Sequence, residues 1–96
     1  MVGWTFITNH GAVLALIARH GQITARDMAS ELGITERSVH RIISDMEADG
    51  YLEKRREGRV NWYEVNHTLP LRRREQRDTG VGELLNVLIP SVEDEE

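Results

Sequence analysis

The sequence contains no cysteine, which excludes disulfide bonds, thiolate metal sites and cysteine nucleophiles. It also has no long apolar run: the longest, from Ala12 to Ala18, is far shorter than the roughly 18 residues that a membrane-spanning helix needs. No Lys or Arg precedes this run, although a secretory signal peptide would carry one there. The length of 96 residues suits one domain. We therefore expect a single-domain cytoplasmic protein with no membrane contact.

The sequence also lacks a recognisable catalytic or metal-binding constellation. Its four histidines are scattered, and no two share a helix face beside a carboxylate, as a zinc site would require. We expect His10 and His20 to be surface histidines at helix ends. The segment Gly80–Gly82 lacks the third glycine of a dinucleotide-binding motif and is better explained as the start of a helix. We therefore expect no enzymatic activity, no cofactor and no metal.

Charge is distributed unevenly along the chain. The formal net charge is −4, which by itself argues against a nucleic-acid partner. Four acidic residues occupy positions 93–96, however, and the remaining charges are balanced. Between Tyr51 and Arg74 the chain has seven basic residues and only three acidic ones. Because exposed charges interact over a Debye length of about 8 Å, this local excess matters more to a partner than the net charge does.

Apolar periodicity and capping residues predict three helices followed by a β-hairpin. Each helix begins at a residue that can cap its N-terminus, and the first two end at glycine. The predicted ranges are Thr8 or Asn9 to about His20, Thr24 to Gly33, and Thr35 to Asp49. Two extended runs, 51–56 and 60–66, then form the hairpin, with a short glycine-containing loop between them. An arginine-rich linker leads to a last helix, which we expect to be capped by Thr79 and ended by Pro90.

The junction between the second and third helices has the spacing of a helix-turn-helix motif. Ala29 is small enough to let the two helices cross closely. Gly33 can adopt the left-handed conformation of the turn without steric cost. Val39 then fills the gap between the helices. The three residues together predict two short helices that pack across a tight turn.

The sequences Gly33–Val39 and Asp49–Leu52 resemble those of small winged-helix regulators of the MarR, ArsR and Lrp type. The segment Arg56–Tyr63 resembles the wing of those proteins. The resemblance covers roughly residues 10–66 and implies a winged helix-turn-helix fold, mainly α-helical with a two-stranded β-hairpin. It also implies that the third helix enters the major groove of duplex DNA while the wing contacts the flanking backbone.

The outer face of the third helix carries candidate DNA contacts. With Val39 directed to the core, a rotation of 100° per residue directs Arg37 and Arg41 away from it, at about 160° and 200°. Arginine pairs with guanine through two hydrogen bonds, so both are candidate base contacts. The other candidates are Thr35 and Ser38, at the N-terminus of the helix, and His40 and Ser44. The alternative is a solvated face that binds no DNA.

The hairpin supplies a second group of candidate contacts, to the phosphate backbone or the minor groove. These are Lys54, Arg55, Arg56 and, at the tip, Arg59. In the alternative interpretation, Glu53 and Glu57 neutralise a solvated hairpin. Tyr63 and Val65 are expected on the core side of the second strand, which leaves Trp62 partly exposed. The linker arginines Arg72, Arg73 and Arg74 are expected to be solvated and paired with Glu75 and Asp78; the alternative is contact with flanking DNA.

The first and last helices have more apolar surface than a small core needs. A large exposed apolar surface is unusual for a monomer, so we expect a homodimer through these two helices. The candidate dimer contacts are Leu14, Val81, Leu84, Leu85 and Leu88. In the alternative, the last helix folds back over the first helix of its own chain. We expect residues 1–78 to form the DNA-binding domain with its basic linker, and residues 79–96 the helix and acidic tail.

These features predict a sequence-specific transcriptional regulator that binds double-stranded DNA as a homodimer. The alternative belongs to another class of protein: a winged-helix module that contacts a protein partner through its wing and acidic tail, without specific DNA binding. The two hypotheses differ in their expected response to salt, because only phosphate contacts release condensed counterions.

Overall fold

The computed structural model describes residues 5–58 and 60–89 of the chain. Within these ranges it forms four α-helices, one short 3₁₀ helix and one two-stranded antiparallel sheet. The elements in chain order are α1 (Asn9–His20), α2 (Ala25–Leu32), α3 (Glu36–Ala48), β1 (Leu52–Glu57), β2 (Val60–Val65), the 3₁₀ helix (Arg74–Gln76) and α4 (Val81–Leu88). The predicted fold class, mainly helical with a two-stranded hairpin, is confirmed.

Threonine side chains cap the first three helices. Thr8, Thr24 and Thr35 each accept a hydrogen bond from the backbone N–H three residues later, at 3.0–3.2 Å. Each such cap typically stabilises a helix by about 1 kcal/mol. Gly21 and Gly33, which end α1 and α2, have positive φ angles of 74° and 70°. The predicted limits of these helices are therefore confirmed.

Helix α1 lies at the centre of the fold, where it contacts the other three helices and β2. Two of its residues, Val13 and Ile17, are almost completely buried. Leu14, on another side of the helix, is also buried. The remaining core residues are Met28, Ala29, Val39, Ile42, Ile43, Met46, Tyr51, Leu52, Val81 and Leu85. A helix that is apolar on nearly all sides is thus covered on more than one of them.

The register of the hairpin decides which side chains contact the core. Tyr63 and Val65 pack against the core, as predicted. Burial raises the pKa of Tyr63, and the negative charge of Glu47 raises it further. The half-buried Trp62 lies on the opposite face of the sheet, directly across from Arg55 on β1.

The start of α4 corrects one prediction: its N-cap is Gly80, and Thr79 does not cap it. The backbone of Thr79 is instead engaged upstream, because its carbonyl accepts a hydrogen bond from the N–H of Leu71 at 2.9 Å. The N–H of Val81 donates to the carbonyl of Leu69 at 2.8 Å. Backbone carbonyls from the segment before the 3₁₀ helix thus take the place of a capping side chain.

Helix α4 packs closely on the segment that caps it. The N–H of Gly82 donates to the carbonyl of His67 at 2.9 Å, and a Cβ added to this glycine would lie 2.9 Å from the Cβ of His67. Val81 and Leu85 are buried. Pro90, the expected end of the helix, lies outside the described residues. The close approach of His67 explains why a glycine occupies position 82.

Candidate nucleic-acid interface

The turn between α2 and α3 places the third helix against the second. Gly33 is in the left-handed conformation, with φ 70° and ψ 32°. The next residue, Ile34, donates its N–H to the carbonyl of Ala29 at 3.1 Å, which closes the turn. Ala29 and Val39 are both buried between the helices. The three positions that predicted a helix-turn-helix therefore have the structural roles expected of them.

Helix α3 has one buried face and one exposed face. The buried residues are Val39, Ile42, Ile43 and Met46. The exposed residues include all six predicted DNA contacts of this segment, Thr35, Arg37, Ser38, His40, Arg41 and Ser44. Because the first turns of this helix are open to solvent, a groove of duplex DNA can approach these side chains without a change in the fold.

The two arginines of α3 are not engaged by acidic side chains. Arg37 and Arg41 lie one helical turn apart, so their side chains extend from the same side of the helix. Neither forms an ion pair or a hydrogen bond with any other residue in 5–58 or 60–89. Their guanidinium groups therefore keep their full set of donors for a partner outside the chain.

Thr35 and Ser38 bind each other at the N-terminus of α3. The hydroxyl of Thr35 accepts from the backbone N–H of Ser38 and donates to its Oγ, both at 3.0 Å. This arrangement uses the only hydroxyl proton of Thr35. The hydroxyl of Ser38 still has its own proton to donate, so of the two side chains it is the better donor to a phosphate oxygen.

A contact between α1 and α3 was not foreseen from the sequence. Nε2 of His10 lies 2.9 Å from Oδ2 of Asp45, 35 positions later in the chain. His10 lies at the start of α1 and is exposed, as predicted, but its partner depends on how the two helices cross. An open groove beside this pair is lined by Asn9, His10, Ser38, Arg41, Ile42 and Asp45. The groove joins the pair to the exposed face of α3.

The arginines of the wing are more constrained than those of α3. Arg55 contacts Glu64 at 2.7 Å and Glu53 at 3.5 Å, and the hydrogen bond that its guanidinium donates to Glu64 raises the pKa of the guanidinium. The contact with Glu53 agrees with the alternative interpretation, in which acidic residues neutralise the hairpin. The contact with Glu64 was not predicted, because it depends on how the two strands pair. Arg56 donates from Nε to the carbonyl of Gly58 at 3.1 Å.

The wing leaves two basic side chains, Lys54 and Arg56, without an acidic partner among the described residues, and the guanidinium of Arg56 donates to the carbonyl of Gly58. Lys54 is exposed on β1 and forms no ion pair with another described residue. Arg59, the predicted contact at the tip of the wing, lies outside the described residues. Of the four predicted wing contacts, Lys54 is therefore the described one whose charge is most available.

The basic linker forms local ion pairs. Arg73 contacts Glu75 at 2.9 Å, as expected, and its hydrogen bond lowers the pKa of that carboxyl. Arg72 contacts Asp49, at the end of α3, at 3.1 Å, in place of the expected Glu75 or Asp78, and its guanidinium lies 6.0 Å from the centre of the Tyr51 ring. Part of the basic charge found in the sequence is therefore neutralised within the fold.

The predicted dimer contacts divide into two groups. Leu14, Val81 and Leu85 are buried within a single chain, because α4 packs on α1 of the same chain. This packing is the fold-back arrangement that the sequence left open as an alternative. Helix α4 still presents an apolar surface to solvent. It consists of Leu84 and Leu88, which are half-buried, and Val87, which is 80% exposed.

Within residues 5–58 and 60–89, no helix is both long enough and apolar enough to cross a membrane. The same ranges contain no cluster of three or more His, Asp or Glu side chains that could hold a metal ion.

The helix-turn-helix of α2 and α3, followed directly by an antiparallel hairpin, defines a winged helix-turn-helix protein. Comparison with known proteins agrees: residues 5–60 match the model of the MarR family. The chain therefore belongs to the MarR family, whose members are winged-helix transcription regulators. The matched residues include α1, the whole helix-turn-helix and β1.

A curated relative comes from Methanocaldococcus jannaschii. It is named "Uncharacterized protein MJ1254" and is 34% identical to this chain over 59 residues. The match covers 60% of this chain but only 13% of the relative. The chain thus corresponds to a small part of that longer protein.

Proposed function

We propose that this chain binds duplex DNA at specific sequences and regulates transcription there, with α3 in the major groove and the wing on the flanking backbone. The observation that supports this most strongly is the state of Arg37 and Arg41. Both are exposed one turn apart, and neither has a partner among the described residues. A guanidinium without an acidic partner can form two hydrogen bonds to O6 and N7 of a guanine without first breaking an ion pair.

Backbone contacts would fix the orientation of α3 in the groove. Ser38 has a free hydroxyl proton near the N-terminus of α3, and Lys54 carries an unneutralised charge on the wing. Both side chains suit phosphate oxygens, which position a protein on the duplex without identifying its sequence. The predicted contacts His40, Ser44, Arg56 and Arg59 belong to the same proposal, whereas Arg55 must first release its glutamates.

Selection from a random pool of duplexes tests the proposal. We expect enrichment of a defined site, and log affinity for that site should fall linearly with log salt, by about 0.9 per neutralised phosphate. Recovery of no preferred sequence, together with affinity that does not change with salt, would contradict DNA regulation. That outcome would favour the alternative, a winged-helix module that binds a protein.

We also propose that the chain acts as a homodimer through the outer surface of α4. Leu84, Val87 and Leu88 form an apolar surface on this helix that the chain does not fully cover. A two-fold dimer would present two recognition helices to half-sites about 34 Å apart, and the selected site would then be a palindrome.

A charge in this surface tests the dimer. Val87→Glu should reduce the mass measured by analytical ultracentrifugation from that of a dimer to about 11 kDa, because an unpaired carboxylate would be desolvated at the interface. Asn86→Glu adds the same charge at the adjacent exposed position and should leave the dimer intact. A wild-type chain that sediments as a monomer at micromolar concentration would exclude the dimer.

A further inference from the structure

The pair between His10 and Asp45 is unusual for its position. Nε2 of His10 lies 2.9 Å from Oδ2 of Asp45, although both side chains are about half exposed, at 50% and 54%. A carboxylate only accepts hydrogen bonds, so Nε2 of the histidine is the donor. The contact joins the first turn of α1 to the exposed side of α3, where the proposed DNA contacts lie. An exposed pair of this kind adds little to the stability of a fold, so stability alone does not explain its presence here.

Arg41 lines the same groove as the pair of His10 and Asp45. It precedes Asp45 by four residues on α3, so the two side chains are adjacent on the helix surface, where an arginine and an aspartate attract each other. In the structure, however, Asp45 contacts His10, and Arg41 has no partner in the described part of the chain. His10 and Arg41 therefore compete for one carboxylate.

We propose that His10 is a positioning residue that holds Asp45 and so keeps Arg41 free for DNA. Without the imidazole, the carboxylate of Asp45 would turn to Arg41, one turn earlier. The guanidinium would then lie along the helix, away from the groove of the duplex, and DNA binding would have to break the new ion pair first. This inference rests on the proposed function, because it assigns to His10 a role in the DNA contact made by Arg41.

The size of the effect follows from the competing pair. An ion pair four residues apart on a helix, with the basic residue first, forms in roughly half of the molecules, so His10→Ala should lower affinity for the selected duplex about twofold. His10→Gln should retain most of the affinity, because its Nε2 can donate as the imidazole does. Substitution of the carboxylate should remove the need for His10: Asp45→Asn and the double variant His10→Ala/Asp45→Asn should bind equally well, and at least as tightly as the wild type.

The matched control is His20→Ala, which removes a second exposed histidine from the far end of the same helix. It should not change the affinity for DNA. A thermal melt of each variant checks that α1 still folds. A purely structural role for His10 predicts that Asp45→Asn does not rescue His10→Ala, because the contact between the two helices stays broken. Such a result would overturn the inference.

A measurement on the free protein separates this inference from the proposed function. The Nε–H resonance of Arg41 in an NMR spectrum should shift and exchange more slowly with water in His10→Ala than in the wild type, and should return in the double variant. An unchanged resonance would overturn the role of His10, whatever the protein binds. If Arg41→Ala instead leaves DNA binding intact while the resonance behaves as expected, the proposed DNA contact has failed and the competition for Asp45 stands.

Discussion

Arginines in α3 and arginines in the wing and linker carry the same charge, but three of those in the wing and linker are paired with carboxylates. Arg37 and Arg41 have no acidic partner among the described residues, whereas Arg55, Arg72 and Arg73 each contact a carboxylate. A count along the sequence would place the DNA-binding charge in the basic stretch from 51 to 74. The structure shifts part of that charge toward α3. Arg55, Arg72 and Arg73 are already paired inside the chain, and each must lose its partner before it can bind a phosphate or a base.

The largest loss of affinity for DNA is expected from substitution of the two arginines on α3 that have no partner among the described residues. Arg41→Ala and Arg37→Ala should each lower affinity for the selected duplex by about 1–3 kcal/mol, the usual value of a bidentate contact to a base. Affinity for random duplex should change much less. Competition binding at fixed salt measures both quantities. Equal losses on selected and random duplex would reassign these arginines to phosphate contacts.

An intermediate effect is expected where a partner can be removed. Glu64→Gln removes the closer of the two carboxylates that contact Arg55, at 2.7 Å, and leaves the guanidinium with only the looser contact to Glu53 at 3.5 Å. The salt dependence of binding should then become steeper by about one counterion, on selected and random duplex alike. The matched control is Glu83→Gln, which removes the same charge from an exposed position on α4. If both variants change the salt dependence equally, net charge and not the release of Arg55 is responsible.

The smallest effect is expected in the linker. Arg73→Ala should leave duplex binding unchanged, because its guanidinium already contacts Glu75. The pKa of Glu75, followed by NMR, should rise toward its usual value in this variant, since the arginine lowers it in the wild type. Because the folded-state pKa is lowered, the pair contributes stability above the pKa of the unfolded chain and loses it as pH falls through the folded value. A Glu75 pKa that does not respond would show that the pair is absent in solution.

Local sequence patterns predicted most of the fold. Helices α1 to α3 follow from threonine caps and closing glycines, which act through hydrogen bonds only three residues away and through the conformation of a single residue. Alternation in β2 correctly placed Tyr63 and Val65 on the core side. The start of α4 was not predictable in this way, because backbone carbonyls from a segment more than ten residues earlier replace the expected cap at Thr79.

The candidate site was predicted only in part, for a similar reason. Rotation along one helix placed Arg37 and Arg41 on the exposed face. No local pattern indicates that Asp45 contacts His10, or that Glu64 contacts Arg55, because the first depends on how α1 crosses α3 and the second on the register of the hairpin. Sequence patterns predicted which side chains are exposed, whereas the state of their charges required the tertiary structure.

The base preference of Arg41→Ala is the most direct test of the central claim, that an unpaired arginine on α3 recognises sequence. Wild type and variant would be measured against the selected duplex and each of its single base-pair substitutions. We expect the variant to lose discrimination at one guanine position and to keep it at the others. A variant that keeps the full base preference of the wild type would contradict the claim.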